Sequence, residues 1–213
     1  AVPIRLIHDR WVSKYAEPWA QTLSEPKDRM EERSMERVFE IYIKTTPERL
    51  WAARPPDLPL ATPLELVTLA SIVEKETGVA EERSRVAAVF INRLRKGMPL
   101  QSDPTVVYAL ERDGTALDRP LLRSDLAFDS PYNTYGNGGL PPGPIANPGL
   151  ASLEAVIRPV ESDELYFVAV GDGSGRHVSS RTLAEHNPAL REYVRRPRER
   201  AGGRRPVHHR GER

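Results

Sequence analysis

Residues 62–78 read TPLELVTLASIVEKETG, and the placing of this stretch decides the fold. Thr62 and Glu65 form a Thr-x-x-Glu capping box with Pro63 at the first helical position, a strong helix start. The run predicts a helix from 63 to about 77, with Gly78 as its C-terminal stop. At about 100° per residue, Leu66, Leu69, Ile72 and Val73 share one stripe. Glu76 lies about 20° from the centre of that stripe, whereas Glu74 lies about 140° away and Lys75 about 120° away. The E-K-E triplet is therefore not a generic charged patch. One of its carboxylates points at the core or at a cleft within it.

A carboxylate in that position needs an explanation, because uncompensated burial of a charge is costly. Apolar neighbours and the negative end of the helix dipole both disfavour ionisation and raise the pKa. A general acid working near neutrality needs that shift. A cation would oppose it, and Arg93 or Arg95 is placed to supply one. The pattern thus supports either a catalytic acid or a structural ion pair.

Outward from this helix, a second is expected over 80–96, with Val86, Val89, Phe90 and Leu94 inward and Gly97 as its end. A third begins with Asp103 as N-cap and Pro104 after it. Residues 129–149 form a long Pro/Gly/Asn loop, and Asn147-Pro148 opens a helix with Leu150, Leu153 and Ile157 inward. ELYFVAV (164–170) reads as a strand that pairs through the GDGSG turn with RHVSS (176–180). Thr182-x-x-Glu185 opens a last helix carrying Leu183, Leu190 and Tyr193, with Pro188 inside it. Upstream, Trp11, Tyr15, Trp19 and Leu23 recur at helical spacing, 37–43 alternates like a strand, and Thr46-Pro47 starts another helix. The expected fold is α+β: a helical core with an acid at a helix end and a small β-hairpin.

Composition narrows the classes. The 213 residues carry no Cys, which excludes disulfides and thiolate zinc sites. The net charge is +1, but the segment 195–213 holds eight Arg and two Glu, net +6, which leaves the remainder at 1 − 6 = −5. The overall charge is thus no sign of nucleic-acid binding, and none is expected; the basic tail reads as disordered. No run of 18 apolar residues occurs, no signal peptide is visible, and the chain opens with Ala rather than Met.

The loop 130–149 gathers Tyr132, Tyr135, Asn133, Asn137 and Asn147 among Pro and Gly. Flat aromatic faces suit pyranose rings and amides suit hydroxyls, although a stiffened connector would have the same composition. His177 and His186 lack ligand spacing to a second His, so no metal is expected. No nucleophile elbow and no phosphate loop is present, and no cofactor is expected.

Four long motifs, LASIVEKETG (69–78), VFINRLRKGMPLQSDPTVVYAL (89–110), YNTYGNGGLPPGPIANPG (132–149) and ELYFVAVGDGSGRHVSS (164–180), resemble the YceG-like endolytic murein transglycosylases. The resemblance covers about 54–195, placing a catalytic domain there, a non-family extension over 1–53 and a basic tail over 196–213. It implies a lyase that cleaves the β-1,4 bond between N-acetylmuramic acid and N-acetylglucosamine, leaving 1,6-anhydro ends. By resemblance Glu76 is its catalytic acid and base, and Gln101, Ser102, Asn133, Thr134 and Tyr135 line the glycan cleft. Glu74 and Thr77 then support the site from behind. Peptidoglycan strands are the implied partner, with cell-wall synthases as neighbours and the periplasmic face of the inner membrane as the location.

Family members also carry an N-terminal membrane helix and a LysM-like subdomain, neither visible here. Instead, 4–32 resemble the C-terminal helix of winged-helix repressors and 35–52 the opening of a START-like domain, as in a chimera. The competing readings are a muramidase-type hydrolase using Asp103 as a second carboxylate, an inactive glycan-binding module, and a regulator built on the first 53 residues.

Overall fold

The computed structural model describes residues 46–114, 117 and 119–195. The expected upstream helix and strand and the basic tail lie outside these residues. Five labelled helices and one hairpin make up most of the fold: α1 (Pro63–Glu76), α2 (Arg83–Arg95), α3 (Asp103–Arg112), α4 (Leu150–Ile157), β1 (Tyr166–Ala169), β2 (His177–Ser180) and α5 (Leu183–Arg195). Residues 46–52 are also helical. The expected α+β architecture, a helical core with a small antiparallel sheet, is what forms.

α1 begins as its sequence dictates. Thr62 Oγ1 accepts from Glu65 N at 3.2 Å, and Glu65 Oε2 accepts from Ala61 N at 2.6 Å. Its end differs from expectation. Thr77 leaves the helix with extended backbone (φ −135°, ψ 132°), so Gly78 is not needed as a left-handed stop. α2 does end on its glycine: Gly97 has φ 64°, and Met98 N donates to Arg93 O at 2.9 Å in a Schellman closure. A 3-10 turn, Ala80–Glu82, precedes α2 where one continuous helix was expected.

The core lies where α1, α2 and α4 pack on one another. Leu66, Leu69, Ile72 and Val73 from α1 meet Val86, Phe90 and Ile91 from α2 and Leu153, Val156 and Ile157 from α4, all buried. Burial of each such side chain contributes about 1.5–3 kcal/mol. Leu58 and Leu60 of the Pro-rich segment join this core, and Leu50 and Trp51 pack against it from across the boundary expected at 54. Leu150, expected inward, is exposed, because α4 starts there and turns Leu153 and Ile157 to the core instead.

The hairpin pairs Tyr166 with Ser180 through Ala169 with His177, and α5 packs on it. Phe167 meets Phe90 edge-on at 5.6 Å, which seats the hairpin on α2. α5 runs through Pro188 and leaves Leu183, Leu190 and Tyr193 exposed.

Candidate active site

Glu76 is the last residue of α1, at the end of the buried stripe. Its carboxyl oxygen Oε1 accepts from Ser102 Oγ at 2.5 Å. Ser102 is buried and sits at the N-cap of α3. Its N–H donates to Thr134 Oγ1 at 3.0 Å, and its carbonyl accepts from Thr105 Oγ1 at 2.6 Å. The hydroxyl that holds Glu76 is therefore fixed from both sides. The two threonine hydroxyls also bond each other at 2.9 Å, which ties the loop 130–149 to the start of α3.

The pKa of Glu76 is raised from its ordinary 4.5 to about 7. Burial is the main cause, the Ser102 bond opposes it, and the negative charge of Asp103 adds to it. Neither arginine that could have paired with Glu76 does so. Arg95 bonds Asp57 Oδ2 at 2.7 Å. Arg93 is buried and donates through Nε to Leu165 O (2.6 Å) and through Nη1 to Pro99 O and Leu100 O (both 3.0 Å) and Gln101 Oε1 (3.1 Å). Its Nε and Nη1 are thus spent on bends of the chain and on Gln101.

Asp103 corrects another expectation. Ser102 occupies the N-cap position, and Asp103 is the first residue within α3. The Asp103 side chain instead accepts from Tyr135 Oη at 2.6 Å. Burial, the bond to Asp103 and the charges of Asp103 and Glu76 together push the Tyr135 hydroxyl pKa up. The charge of Glu76 therefore reaches Tyr135 across the same site.

The remaining residues expected in the cleft divide into two kinds. Gln101 is exposed and has φ 54°, a left-handed conformation unusual for a residue with a side chain. Arg93 holds its amide, and its N–H donates to Thr134 O at 3.1 Å. Asn133 and Thr134 are buried. The Asn133 amide donates to Leu126 O (2.9 Å) and Phe128 O (2.8 Å), and its oxygen accepts from Tyr135 N at 2.9 Å. These two residues brace the loop from inside, leaving Gln101 and Tyr135 nearer its surface.

Glu74 points away, as the helical wheel requires. It accepts from Ser152 Oγ at 2.6 Å and Gly149 N at 3.2 Å, placing a negative charge at the positive end of α4. Thr77 is buried, and its hydroxyl accepts from Val79 N at 3.0 Å. Among the described residues no group of three or more His, Asp or Glu is placed to hold a metal ion, and no helix there is long and apolar enough to cross a membrane.

Sequence reasoning missed the Arg93 clamp and the Asp103–Tyr135 bond. Arg93 left a signal: it follows Val86, Val89 and Phe90 at helical spacing on the inward side of α2. The Asp103–Tyr135 bond joins residues 32 positions apart and left none.

The YceG-like family model matches residues 13–192. The chain is 50% identical over 130 residues to the endolytic murein transglycosylase of Bacillus subtilis, covering 61% of this chain and 34% of that protein. It is 43% identical over 132 residues to the endolytic murein transglycosylase of Streptococcus pneumoniae, covering 57% and 23%. A crystal structure of a yceG-like protein from Listeria monocytogenes superposes with a TM-score of 0.62 at 38% identity, over 78% of this chain and 51% of that one. The chain thus spans about a third of the length of the Bacillus subtilis relative, or less for the streptococcal one. The family match begins at residue 13 and so runs through most of the stretch that resembled a repressor helix and a START-like opening, and neither of those likenesses gains support. With four motifs in order, the folded core and a match from 13 to 192, the chain belongs to the YceG-like family.

Proposed function

We propose that this chain cleaves the glycan strands of peptidoglycan internally as a lytic transglycosylase, with Glu76 as its one acid and base. The observation that carries the reading is the Glu76 carboxyl itself: held by Ser102 at 2.5 Å, with a pKa raised to about 7. The names and identities of the relatives support it.

In the reaction, protonated Glu76 gives its proton to the glycosidic oxygen that leaves with N-acetylglucosamine, and the C1–O bond of the muramoyl residue breaks. The muramoyl C6 hydroxyl closes on C1, and the Glu76 carboxylate takes that hydroxyl's proton. One C–O bond is lost and one formed, the acid is restored, no water is consumed, and the product is a 1,6-anhydro end. Because the sugar supplies its own nucleophile, the pair of carboxylates that ordinary glycosidases use is not required.

Ser102 fixes the Glu76 oxygen. Gln101 and Tyr135 orient the sugar at the cleft surface, and Asn133 and Thr134 serve the same site by bracing the loop. Glu74 and Thr77 hold the end of α1 from behind. The substrate assigns the chain to the cell envelope, at the periplasmic face of the inner membrane, with cell-wall synthases as neighbours.

The test is digestion of purified peptidoglycan by the chain and by Glu76→Gln, with mass spectrometry of the sugar ends. Anhydro-muramoyl ends from the first and none from the second are expected. Reducing ends would make the enzyme a hydrolase, and an unchanged digest with Glu76→Gln would remove Glu76 from the chemistry.

A further inference from the structure

We propose that Arg93 and Asp103 are positioning residues that fix the direction of hydrogen bonding at Gln101 and Tyr135, so that the pair offers a donor and an acceptor and takes the acetamido group of an N-acetylated sugar. The inference rests on the proposed function, which brings a glycan strand to this site.

The polarity follows from what each partner can do. Arginine only donates, so the Gln101 atom that meets Arg93 Nη1 at 3.1 Å is the carbonyl Oε1, and the NH2 end of that amide faces away from Arg93. Gln101 is exposed, so its side chain presents donors to the cleft. A carboxylate only accepts, so Tyr135 Oη gives its one proton to Asp103 Oδ1 at 2.6 Å. The phenol oxygen is left with lone pairs alone. Without Arg93 the amide could turn over, and without Asp103 the hydroxyl could donate elsewhere.

The two groups are held beside each other and beside the acid. Gln101 N–H donates to Thr134 O at 3.1 Å and Ser102 N–H to Thr134 Oγ1 at 3.0 Å, so residues 101–102 run along residues 134–135. From the same bend, Ser102 Oγ holds Glu76. Gln101 also keeps a left-handed backbone, φ 54°, which a residue with a side chain adopts only where its surroundings impose it. That backbone is what aims the amide. An acetamido group carries one carbonyl oxygen and one N–H. The carbonyl accepts from Gln101 Nε2, and the N–H donates to Tyr135 Oη. A sugar hydroxyl has both functions on a single oxygen and is the poorer match.

The experiment is an NMR titration of the chain with two neutral tetrasaccharides, beside digests of peptidoglycan. Chitotetraose carries acetamido groups, and cellotetraose carries hydroxyls in their place. Chitotetraose is expected to bind about tenfold more tightly or better. Gln101→Glu, which turns the donor into an acceptor, and Tyr135→Phe, which removes the acceptor, should each lose most of that preference. Asp103 is exposed, so Asp103→Ala should keep the fold. It should reduce the preference by about threefold while cellotetraose binds as before, and Asp103→Asn, whose carbonyl oxygen can still accept the phenol proton, should restore it. Equal binding of the two sugars by the parent chain, or binding of neither, overturns the proposal. So does an Asp103→Ala chain that weakens on both sugars alike, which would make Asp103 merely structural. A preference that the variants lose, in a chain that cleaves no peptidoglycan, sustains the proposal and counts against the proposed function instead.

Discussion

Glu74 and Glu76, two residues apart on one helix, each accept a serine hydroxyl from the start of another helix: Ser152 Oγ at 2.6 Å for Glu74 and Ser102 Oγ at 2.5 Å for Glu76. Their surroundings give the two carboxylates opposite duties. Glu74 meets the N-terminus of α4, where negative charge is favoured. At Glu76, burial above all, and the charge of Asp103, disfavour it. Glu74→Gln is therefore expected to cost about 1 kcal/mol of stability and to slow cleavage less than about tenfold. Urea melts and peptidoglycan digests of the same preparation separate this from Glu76→Gln, which should keep the fold and lose the reaction.

Glu76 should also make stability depend on pH in a direction unusual for a carboxylate. Its folded pKa of about 7 lies above its ordinary 4.5, so the folded state binds more protons between those two values. Stability must then fall as pH rises through that window. A shift from 4.5 to about 7 corresponds to a loss of about 3 kcal/mol across the window. Glu76→Gln removes this dependence. Its urea midpoint should exceed that of the parent at pH 8 by more than it does at pH 5, and equal differences at both would show that Glu76 titrates normally.

Removing the Ser102 hydroxyl should move the pH profile to higher pH. The Ser102 bond favours the charged form of Glu76, so Ser102→Ala raises its pKa further. The alkaline limb of cleavage is expected at higher pH, while the maximal rate drops by roughly tenfold for want of a fixed acid. A profile that keeps its limb would mean that Ser102 merely fills space.

Arg93 joins three parts of the molecule, and lysine cannot replace it. One guanidinium serves the carbonyls of Pro99, Leu100 and Leu165 and the amide of Gln101. An ammonium lacks that planar fork. Arg93→Lys is expected to cost about 2 kcal/mol or more and to release Gln101 from its left-handed conformation. Thermal unfolding gives the first number. The second should appear as a raised KM with a smaller change in kcat, since Gln101 is proposed to bind the sugar.

Much of this was legible in the sequence because it is local. The capping box at Thr62 and Glu65, the stripe ending at Glu76 and the glycine closure after α2 each depend on neighbours within a turn or two. The helical wheel separated Glu76 from Glu74 for the same reason. The structure departs from the reading where a residue is claimed from a distance. Asp103 left the cap it was expected to form because Tyr135 competes for it, and Arg93 ignored Glu76 because the carbonyls of Pro99, Leu100 and Leu165 were there to be satisfied. Asn133 and Thr134 have the right chemistry for a sugar, yet they are buried and engaged inside the loop, and composition alone does not reveal that.

The loop beside the acid is pinned at both ends, by Thr134 to Ser102 and by Ile145 N to Ser71 Oγ at 2.9 Å. Between the pins, a side chain added at Gly136 or Gly138 would meet nothing within 4 Å, whereas Gly139, at φ 78°, does not tolerate one. Both open positions flank Asn137, which is itself bonded back to Ser130 and Asn133. Under the proposed function, substituents at 136 and 138 would thus alter the face offered to a glycan strand while Glu76 keeps its place. Variation at these two positions would then change the contacts proposed for a glycan strand without disturbing how Glu76 is held.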